Sequence, residues 1–522
     1  MKTFLKTTGW LVMAAALSFG TAACSSDDAV AEQNVKPTGK YTMVVKASKG
    51  DAGTRGLSLN GSTLNVKWYQ GEKVEVWQYQ DDEDNSNDVL LGTLYAKASD
   101  DGETELSGTL DVAPVADQTI YFYLHSSTRN YHEQNGVLLA ANNADMSIEN
   151  DFDYAWAFVT TDKFEISGTQ VIVPGGITLE SKQAIVKFTL QDQAGNALSV
   201  TSLTIQDEAL NLYGGTSFIS DAPIVVTPPS ATNVLYVAIN GIYTADKHFN
   251  LNLTATDADG FTYTYSKPYD ANSDKPVVFE HGKYYTRTVK MNRVVDLSKT
   301  SIYKSNVFTA QNGDVLTGTV PEGKAVYVAS GAEVTLRNAT INCDWTYGLF
   351  CWGNNTINLE GTNTASSIDE NNAYDGINCY DGALTIQGSG SLTATGCNGG
   401  AGITCYDTGS ITIKGGTITA TGSYNQYSSF GGAGIGGVSS CGNIIIEGGT
   451  IEATGGNYAA GIGGGFASTG GMSSCGNITI KSTVTSVTAT GGDDAPNSIG
   501  AGYNGTCGTV TIEDWSKVTV GW

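Results

Sequence analysis

One position in a repeating C-terminal segment carries aromatic and acidic side chains. Its members are Cys351-Trp352, Cys379-Tyr380-Asp381 and Cys405-Tyr406-Asp407. Since neighbouring residues of a β-strand point to opposite faces, we expect the cysteines to face inward and the rings outward. An aromatic ring packs on the apolar face of a sugar, and a carboxylate binds its hydroxyl groups. Trp352, Tyr380, Asp381, Tyr406 and Asp407 are therefore the candidate glycan-binding residues; the alternative is three rings that only cover a coil edge.

The same segment is poor in groups that could catalyse a reaction. Asp381 and Asp407 occupy equivalent repeat positions and are weak candidates for calcium, the cation of polysaccharide lyases. A lyase also needs a basic residue, and an inverting hydrolase needs paired carboxylates. After Arg337 the chain has no arginine and no histidine, and its lysines there are Lys414, Lys481 and Lys517. We expect no catalytic residue and no cofactor.

Two more surface features compete as binding sites. Outward Thr-x-Thr pairs recur in the third strand of the repeat at Thr393/Thr395, Thr419/Thr421 and Thr488/Thr490, where a flat hydroxyl array would match a repeating lattice. Threonine is equally a common solvent-facing strand residue. Tyr424, Tyr427 and Phe430 lie on an insertion between repeats that is long enough to reach a ligand.

The repeat itself predicts the fold of the C-terminal part. Openings at Gly348, Gly376, Gly402, Gly434, Gly461 and Ser498 are 26 to 37 residues apart. Each repeat has short alternating β-branched runs and no helical spacing, which is typical of a β-solenoid. Pairs such as Ile411/Ile413 and Ile418/Ala420 should stack as interior ladders. We predict a right-handed parallel β-helix over residues 323–522.

Eight of the nine cysteines lie between Cys343 and Cys507. Cys351, Cys379 and Cys405 share one repeat position, and Cys441, Cys475 and Cys507 share another. Equivalent small residues at interior positions favour a ladder of reduced packing thiols over disulfides. No Cys-x-x-Cys spacing for zinc occurs, so we expect no metal at these sulfurs.

The N-terminus has the features of an export signal. Lys2 and Lys6 precede an apolar run at 10–19, too short to span a bilayer, so residues 1–23 form a predicted signal peptide. Thr21-Ala22-Ala23-Cys24 is similar to a bacterial lipobox, and the following Ser-Ser-Asp-Asp is similar to the surface-export tag of Bacteroidetes lipoproteins. This resemblance implies lipidation of Cys24, a tether at 24–39 and a surface-exposed outer-membrane location. A spare cysteine after a secretory signal is the alternative.

Composition and patterning set the remaining organisation. A net charge of -24 argues against nucleic acid or anionic lipid as a partner. Short alternating strands with turn signals predict two β-sandwiches, at 40–175 and 176–292, followed by a linker at 293–322. The predicted fold class is all-β: two tandem sandwiches and then the β-helix.

The two sandwiches resemble the fimbrillin (type V pilin-like) family of Bacteroidetes over residues 40–292. The resemblance is carried by Ala52-Gly53-Thr54-Arg55-Gly56, the 68–77 segment WYQGEKVEVW, the strand at 182–190 and the 284–289 segment YYTRTV. It implies that an arginine-specific protease cuts after Arg55 and opens a groove for a donor strand from a pilus subunit. An exposed loop that no protease cuts is the alternative.

A solenoid stands where a polymerising pilin needs its free donor strand. This departure argues against a repeating shaft subunit and favours a tip subunit, an accessory subunit or a stand-alone surface lipoprotein. The glycine-rich coils resemble C-terminal β-helical modules that follow fimbrillin domains, loosely described as carbohydrate-binding. The sequence thus favours a non-catalytic surface adhesin with a glycan or host-surface ligand. A polysaccharide-processing β-helix and a purely structural surface protein are the alternatives.

Overall fold

The protein is built from β-strands. The computed structural model describes residues 40–49, 58–60, 63–65, 67–78, 89–115, 118–124, 131–138, 148, 152, 154–160, 162–181, 183–206, 223–240, 251–267, 279, 282–369, 371–406, 408–425, 430–438, 440–467 and 473–521. Two short 3₁₀ helices, Thr300–Ile302 and Trp515–Lys517, accompany the strands. Within these residues no helix is long and apolar enough to cross a membrane. The all-β prediction is confirmed.

The first domain is a sheet that closes on itself. This part of the chain contains the strands β1 (Tyr41–Lys49), β2 (Ser58–Asn60), β3 (Thr63–Asn65), β4 (Lys73–Gln78), β5 (Val89–Ala96), β6 (Glu103–Leu110), β7 (Ile120–Leu124), β8 (Glu133–Gln134), β9 (Ala155–Val159), β10 (Glu165–Ser167), β11 (Gln170–Ile172) and β12 (Ile177–Ser181). Strands β2 and β3 pair with each other, β8 pairs with a strand of the second domain, and the other nine form the closed sheet. Strand β1 pairs antiparallel with β6 and parallel with β11 and β12, which joins the two ends of the order β12-β9-β7-β4-β5-β6. One core fills the interior, including Val76, Leu94 and Phe122.

Strand β1 alternates as a strand between core and solvent must. Tyr41, Met43, Val45 and Ala47 are buried, and the residues between them face outward. Lys49 follows at the next inward position, where its ammonium lies 2.9 Å from the carboxylate of Glu72 and both side chains are buried. A buried ion pair is costly to break, because the remaining charge is left in an apolar site. Strand β1 is thus fixed by both apolar and charged contacts.

The second domain has two sheets around one core. Its strands are β13 (Gln183–Gln191), β14 (Val200–Gln206), β15 (Ile224–Val226), β16 (Val234–Asn240), β17 (Leu251–Asp257), β18 (Thr262–Lys267), β19 (Tyr284–Lys290) and β20 (Asn292–Asp296). One sheet is β16-β13-β19, and the other contains β14, β15, β17, β18 and β20. Both contribute to the same core, including Phe188, Leu203 and Val237.

The boundary between the two domains differs from the predicted division at residue 175. Each domain contains residues from the sequence range that was predicted for the other. Strand β12 pairs with β1 and β9, so it belongs to the first domain. Conversely, Tyr131 and Phe152 lie in the second core, and β8 pairs with β15. The Gln134 side chain bonds both the N–H and the C=O of Ala238. A segment within the first domain therefore completes the second.

The segment 293–322, predicted as a linker, is instead paired into sheets. Strand β20 pairs antiparallel with β18 and parallel with β22 (Val315–Thr319) of the solenoid, so one sheet runs from the second domain into the β-helix. At this junction the Arg293 guanidinium donates to both carboxylate oxygens of Asp314, at 2.9 and 2.7 Å. The junction is thus a continuous paired structure, because residues 294–296 of β20 pair in register with residues 315–317 of β22.

The solenoid contains the remaining strands. They are β21 (Val307–Ala310), β22, β23 (Ala325–Val328), β24 (Glu333–Cys343), β25 (Leu349–Trp352), β26 (Asn355–Glu360), β27 (Thr362–Ser367), β28 (Ile377–Tyr380), β29 (Leu384–Gly388), β30 (Ser391–Thr395), β31 (Ile403–Cys405), β32 (Ile411–Ile413), β33 (Thr417–Thr421), β34 (Tyr424–Asn425), β35 (Phe430–Gly431), β36 (Ile435–Gly436), β37 (Ser440–Cys441), β38 (Ile444–Ile446), β39 (Thr450–Thr454), β40 (Ile462–Gly463), β41 (Phe466–Ala467), β42 (Ser474–Cys475), β43 (Ile478–Ile480), β44 (Ser486–Thr490), β45 (Ile499–Gly500), β46 (Thr506–Cys507), β47 (Val510–Ile512) and β48 (Val518–Gly521).

Apart from β34, β35 and β41, which pair antiparallel in a small sheet of their own, these strands stack in parallel as the repeat predicts. The first face is an eight-stranded sheet, β21-β23-β25-β28-β31-β36-β40-β45, and each strand represents one rung. The second and third faces stack in the same way, and β22 and β24 each bend from one into the other. The first rung starts at β21, ahead of the predicted start at residue 323. The sequence did not predict this first rung, because the short alternating runs at 307–319 are irregular.

Interior columns of identical or similar residues run along the solenoid. One column joins the buried residues of the second face in register: Val334, Ile357, Ile386, Ile413, Ile446 and Ile480. Burying one such side chain is worth about 1.5–3 kcal/mol. The predicted ladders are confirmed, except that Val510 in the last described rung is largely exposed.

The glycine that opens each repeat is required by close packing. A Cβ on Gly376 would lie 2.6 Å from the carbonyl oxygen of Gly402 and from the backbone nitrogen of Thr395. Gly402 and Gly434 make equivalent approaches to the next rung. No larger residue fits where three backbones meet, which explains why the repeat opens on glycine.

We expect Arg293→Ala to destabilise the junction between the second domain and the solenoid. It leaves the Asp314 carboxylate, whose side chain is 3% exposed, without its cation. The free energy of unfolding should fall by about 3 kcal/mol. Urea unfolding, read by amide hydrogen exchange in β20 and β22, measures the effect.

The matched control is Arg337→Ala, which removes an exposed ion pair with Glu360. Exposed pairs contribute about 0–1 kcal/mol, so this variant should stay close to the wild type. Equal losses in the two variants would contradict a special role for the junction pair.

Candidate functional site

Three aromatic side chains form a continuous strip on the solenoid surface. Trp352 ends β25, Tyr380 ends β28, and Tyr406 follows β31; these three residues are the aromatic strip. Trp352 and Tyr380 are in register, with ring centroids 5.4 Å apart, and the Tyr380 and Tyr406 rings lie 6.0 Å apart. The three are 50%, 44% and 45% exposed. Their predicted outward orientation and stacking are confirmed.

More aromatic side chains extend the strip over the first face. Phe350 contacts Trp352, Tyr327 and Tyr347, at centroid distances of 5.8, 5.0 and 5.4 Å. Tyr347 in turn contacts Tyr374, edge to face, at 5.1 Å. This extension was not predicted from the sequence. Its signal is the tyrosine shortly before the opening glycine of two successive repeats, at Tyr347-Gly348 and Tyr374-Asp375-Gly376.

The acidic partners of the strip are only partly placed. Asp381 follows Tyr380 directly, is exposed, and has a φ of 59°, a conformation that turns the chain sharply after β28. Asp407 lies outside the described residues, as do Cys24 and Arg55. Within the described part of the chain, no group of three or more His, Cys, Asp or Glu side chains is arranged to hold a metal ion. Calcium at Asp381 and Asp407 stays a prediction.

A buried carboxylate lies beneath the aromatic extension. Asp375 accepts hydrogen bonds from the Asn378 side chain and from the backbone N–H of Ala401, both at 2.7 Å. Burial raises its pKa to about 6, and these two hydrogen bonds offset only part of that effect. Tyr347 is close enough that burial and this carboxylate together raise the pKa of its phenol to about 12. Asp375 therefore fixes the backbone of two rungs below the rings.

The cysteines behind the strip are packing residues. Cys351, Cys379 and Cys405 are in register and buried on the inner side of the first face. All eight cysteines from Cys343 to Cys507 are free. Burial raises the pKa of the Cys351 thiol well above its usual value and that of Cys441 to about 12. A thiol that resists ionisation is a poor nucleophile, so Cys351 and Cys441 serve packing rather than chemistry.

The other two predicted surfaces have different characters. On the third face, Thr393, Thr419 and Thr488 lie in one outward column, but Glu452 interrupts it. A second ring cluster, separate from the strip, contains Tyr424, Tyr458, Phe466 and Tyr503 at centroid distances of 4.9 to 5.9 Å. Tyr427 lies outside the described residues. The interrupted column does not offer a uniform lattice.

The fold and the site define the class of protein: two tandem β-domains followed by a parallel β-helix with a half-exposed aromatic strip. A family model described as "Beta helix repeat" matches residues 384–403, 411–440 and 444–466. These segments lie in the solenoid, in agreement with the parallel rungs observed there. No curated protein matches the chain.

Solved structures are similar to about half of the chain. The tip fimbrial protein Mfa3 from Porphyromonas gingivalis is 11% identical, with a TM-score of 0.25, over 48% of this chain and 95% of that one. A candidate cell adhesion protein from Bacteroides ovatus is 12% identical, with a TM-score of 0.28, over 49% and 95%. Another, from Bacteroides fragilis, is 14% identical, with a TM-score of 0.25, over 47% and 93%. Likenesses of this strength do not define a function.

We expect Asp375 to make stability depend on pH. Its pKa is about 6 in the folded protein, against an ordinary value of 3.8, so the folded state binds this proton more tightly. The free energy of unfolding therefore falls as the pH rises through this window, by about 3 kcal/mol at most. Urea unfolding of wild type and Asp375→Asn at pH 4, 5, 6 and 7 should show the wild type losing stability relative to the variant.

Asp369→Asn is the control, because the stability that Asp369 contributes should change with pH in the opposite direction. Burial raises the pKa of Asp369, but N–H groups of Asn371 and Asn372 lower it more, to a net value below the ordinary one. The wild type should lose stability relative to this variant as the pH falls below about 4. A flat difference for Asp375→Asn between pH 4 and 7 would show that its proton is not linked to folding.

Proposed function

We propose that the protein is a non-catalytic cell-surface adhesin or accessory fimbrial component whose β-helix binds a glycan. The observation that carries this is the aromatic strip: three rings in successive rungs, each about half exposed. Rings that only covered a coil edge would bury most of their surface against neighbours, since apolar burial stabilises a fold. A contiguous exposed aromatic surface is instead typical of a binding site.

The geometry of the strip suits a chain of sugars rather than a single one. The Trp352, Tyr380 and Tyr406 rings follow one another along the solenoid axis at 5.4 and 6.0 Å. Each ring offers an apolar face, and the exposed Asp381 carboxylate beside Tyr380 can accept hydrogen bonds from sugar hydroxyls. Because the rungs are held in register by backbone pairing, the rings are preorganised, which lowers the entropic cost of binding.

The N-terminal features support a surface location. A signal peptide at 1–23 and lipidation of Cys24 would anchor the chain in the outer membrane, with residues 24–39 as a tether. The two β-domains would then hold the solenoid away from the membrane. Pilus subunits are partners under the fimbrial version of this proposal, and nucleic acid is not a partner of a chain with net charge -24.

A polysaccharide-processing β-helix is the second candidate function. The exposed carboxylate of Asp381 beside the rings favours it, because acid groups next to a bound sugar could hold calcium or move protons. The solenoid after Arg337 has no arginine or histidine to complete such a site. Product analysis on the bound glycan distinguishes the two: released oligosaccharides would establish the enzyme. A purely structural surface protein would bind no glycan.

We expect Trp352→Ala and Tyr380→Ala each to weaken glycan binding at least tenfold. Each removes an apolar face on which a sugar packs. A glycan array identifies the ligand, and titration calorimetry with that ligand measures the affinity. Trp515→Ala is the matched control, because Trp515 is 61% exposed on the same solenoid but lies outside the strip.

Two results would contradict this role of the strip. One is unchanged affinity in both strip variants, and the other is an equal loss in Trp515→Ala. Thermal unfolding of each variant verifies that the solenoid remains folded, since the removed rings contribute little to the core.

The fimbrial version of the proposal depends on β1. This strand lies between β6 on one side and β11 and β12 on the other, and its inward residues fill the first core. A cut after Arg55, a few residues beyond its end, would allow β1 to leave and expose a groove with unpaired backbone groups on both sides. A donor strand from another subunit would restore these hydrogen bonds.

We expect an arginine-specific protease to cut the folded protein after Arg55 and Arg55→Ala to prevent that cut. Intact mass and N-terminal sequencing identify the site. Arg287→Ala is the control, because Arg287 lies in β19, within a paired ladder that a protease cannot enter. A folded wild-type protein that is never cut at Arg55 would remove the basis for donor-strand exchange.

A further inference from the structure

The outer surface of the first domain carries a dense group of aromatic side chains. Trp77 on β4, Tyr121 and Tyr123 on β7, and Trp156 and Phe158 on β9 form this aromatic face. In the sheet register, Trp77 pairs with Tyr121 and Tyr121 with Phe158, while Tyr123 pairs with Trp156. Ring centroids within the β7 and β9 residues lie 5.8 to 6.5 Å apart. The five rings therefore form one contiguous surface.

This face is not part of a core. The opposite sides of the same strands bury Val76, Phe122 and Ala157, which belong to the core of the first domain. An antiparallel sheet with one face in water normally alternates apolar and polar residues. Here Phe158 is 55% exposed and the other four rings are partly exposed. Strands that are apolar on both sides, with aromatic side chains that stay partly exposed on one of them, indicate a surface that a ligand contacts.

The chemistry of the face selects the partner. All outward positions of β7 and β9 hold aromatic residues, and four of the five rings of the face have a polar tip, a tyrosine hydroxyl or an indole N–H. Carboxylates flank the rings: Glu75 accepts a hydrogen bond from the Trp77 indole at 3.0 Å, and Glu180 pairs with Trp156 across the sheet. Rings with polar tips beside carboxylates match a ligand with apolar faces and many hydroxyls. Acidic flanks disfavour an acidic ligand.

A groove extends the face at the end of β9. It has a volume of about 390 Å³ and starts at Phe158. Its lining combines apolar and polar side chains, among them Thr160, Asp162, Lys163, Val173 and Pro174. Binding sites for small ligands have about this size, with an apolar lining and a few polar groups. The groove is thus suited to hold the end of a chain that lies across the rings.

We propose that the aromatic face and this groove form a second carbohydrate-binding site, which takes a neutral glycan. It lies in the first domain and is separate in sequence and in sheet from the aromatic strip of the solenoid. The protein thereby holds two sugar-binding surfaces on different domains. Two weak sites on one chain increase the overall affinity for a long polysaccharide through their effective concentration.

The test uses the full chain carrying Trp352→Ala and Tyr380→Ala, so that the solenoid site does not contribute. Affinity electrophoresis in gels that contain galactomannan, laminarin or desialylated mucin measures the remaining binding. We expect retardation by at least one of these neutral glycans. Adding Trp156→Ala and Phe158→Ala should weaken it at least tenfold, whereas adding Tyr95→Ala, an exposed residue of β5 outside the face, should not.

The expected binding is insensitive to salt, since the ligand is neutral. Phe158→Ser alone, at a largely exposed position, is a second variant that keeps the core intact, and it should also reduce binding. No retardation by any of the three glycans, or equal retardation with and without the face, would overturn the proposal. The proposal would also be overturned if loss of the aromatic face abolished self-association, measured by sedimentation velocity, and left sugar binding unchanged. Because the strip is already removed, none of these outcomes bears on the function proposed for the solenoid.

Discussion

In-register stacking of parallel rungs is the interaction on which the C-terminal half of the chain depends. Each strand pairs with the equivalent strand of the next repeat, so like residues lie above one another in columns such as Ile386, Ile413 and Ile446. The same register that places Cys351, Cys379 and Cys405 inside places the aromatic strip outside. A slip by one residue would exchange the two sets, because the side-chain period of a strand is two. The position of the aromatic strip is therefore a direct product of core packing.

The stacking does not begin with the solenoid. Strand β20 is the last strand of the second domain. It also pairs with β22, the first solenoid strand in that sheet. Backbone pairing and the Arg293–Asp314 ion pair join the two modules without a flexible connection. The second domain thus sets the orientation of the solenoid strands that follow it.

Structural features that repeat along the sequence could be predicted from it, whereas features that do not repeat could not. The interior columns and the outward aromatic strip follow from alternation repeated over several coils, and both are found. Sheet pairing of the 293–322 segment and insertion of Tyr131 and Phe152 into the second core depend on partners far apart in sequence, which alternation cannot identify. Asp375 could not be singled out, because its burial results from two neighbouring rungs. The aromatic face was not predicted for another reason. A run such as Ile120-Tyr121-Phe122-Tyr123-Leu124 has the pattern of a strand that is buried on both sides.

The insertion of Tyr131, Leu138 and Phe152 into the second core has a consequence for the order of folding. The second core is incomplete without Tyr131, Leu138 and Phe152, and the first sheet is incomplete without β12, which directly precedes β13 in the chain. The inserted residues precede in sequence all the strands that enclose them. The first core contains no residue beyond Leu179 and can be complete once β12 is in place, whereas the second core also needs β17 and β19. Contacts across such long sequence separations slow folding, so we expect the second domain to fold after the first.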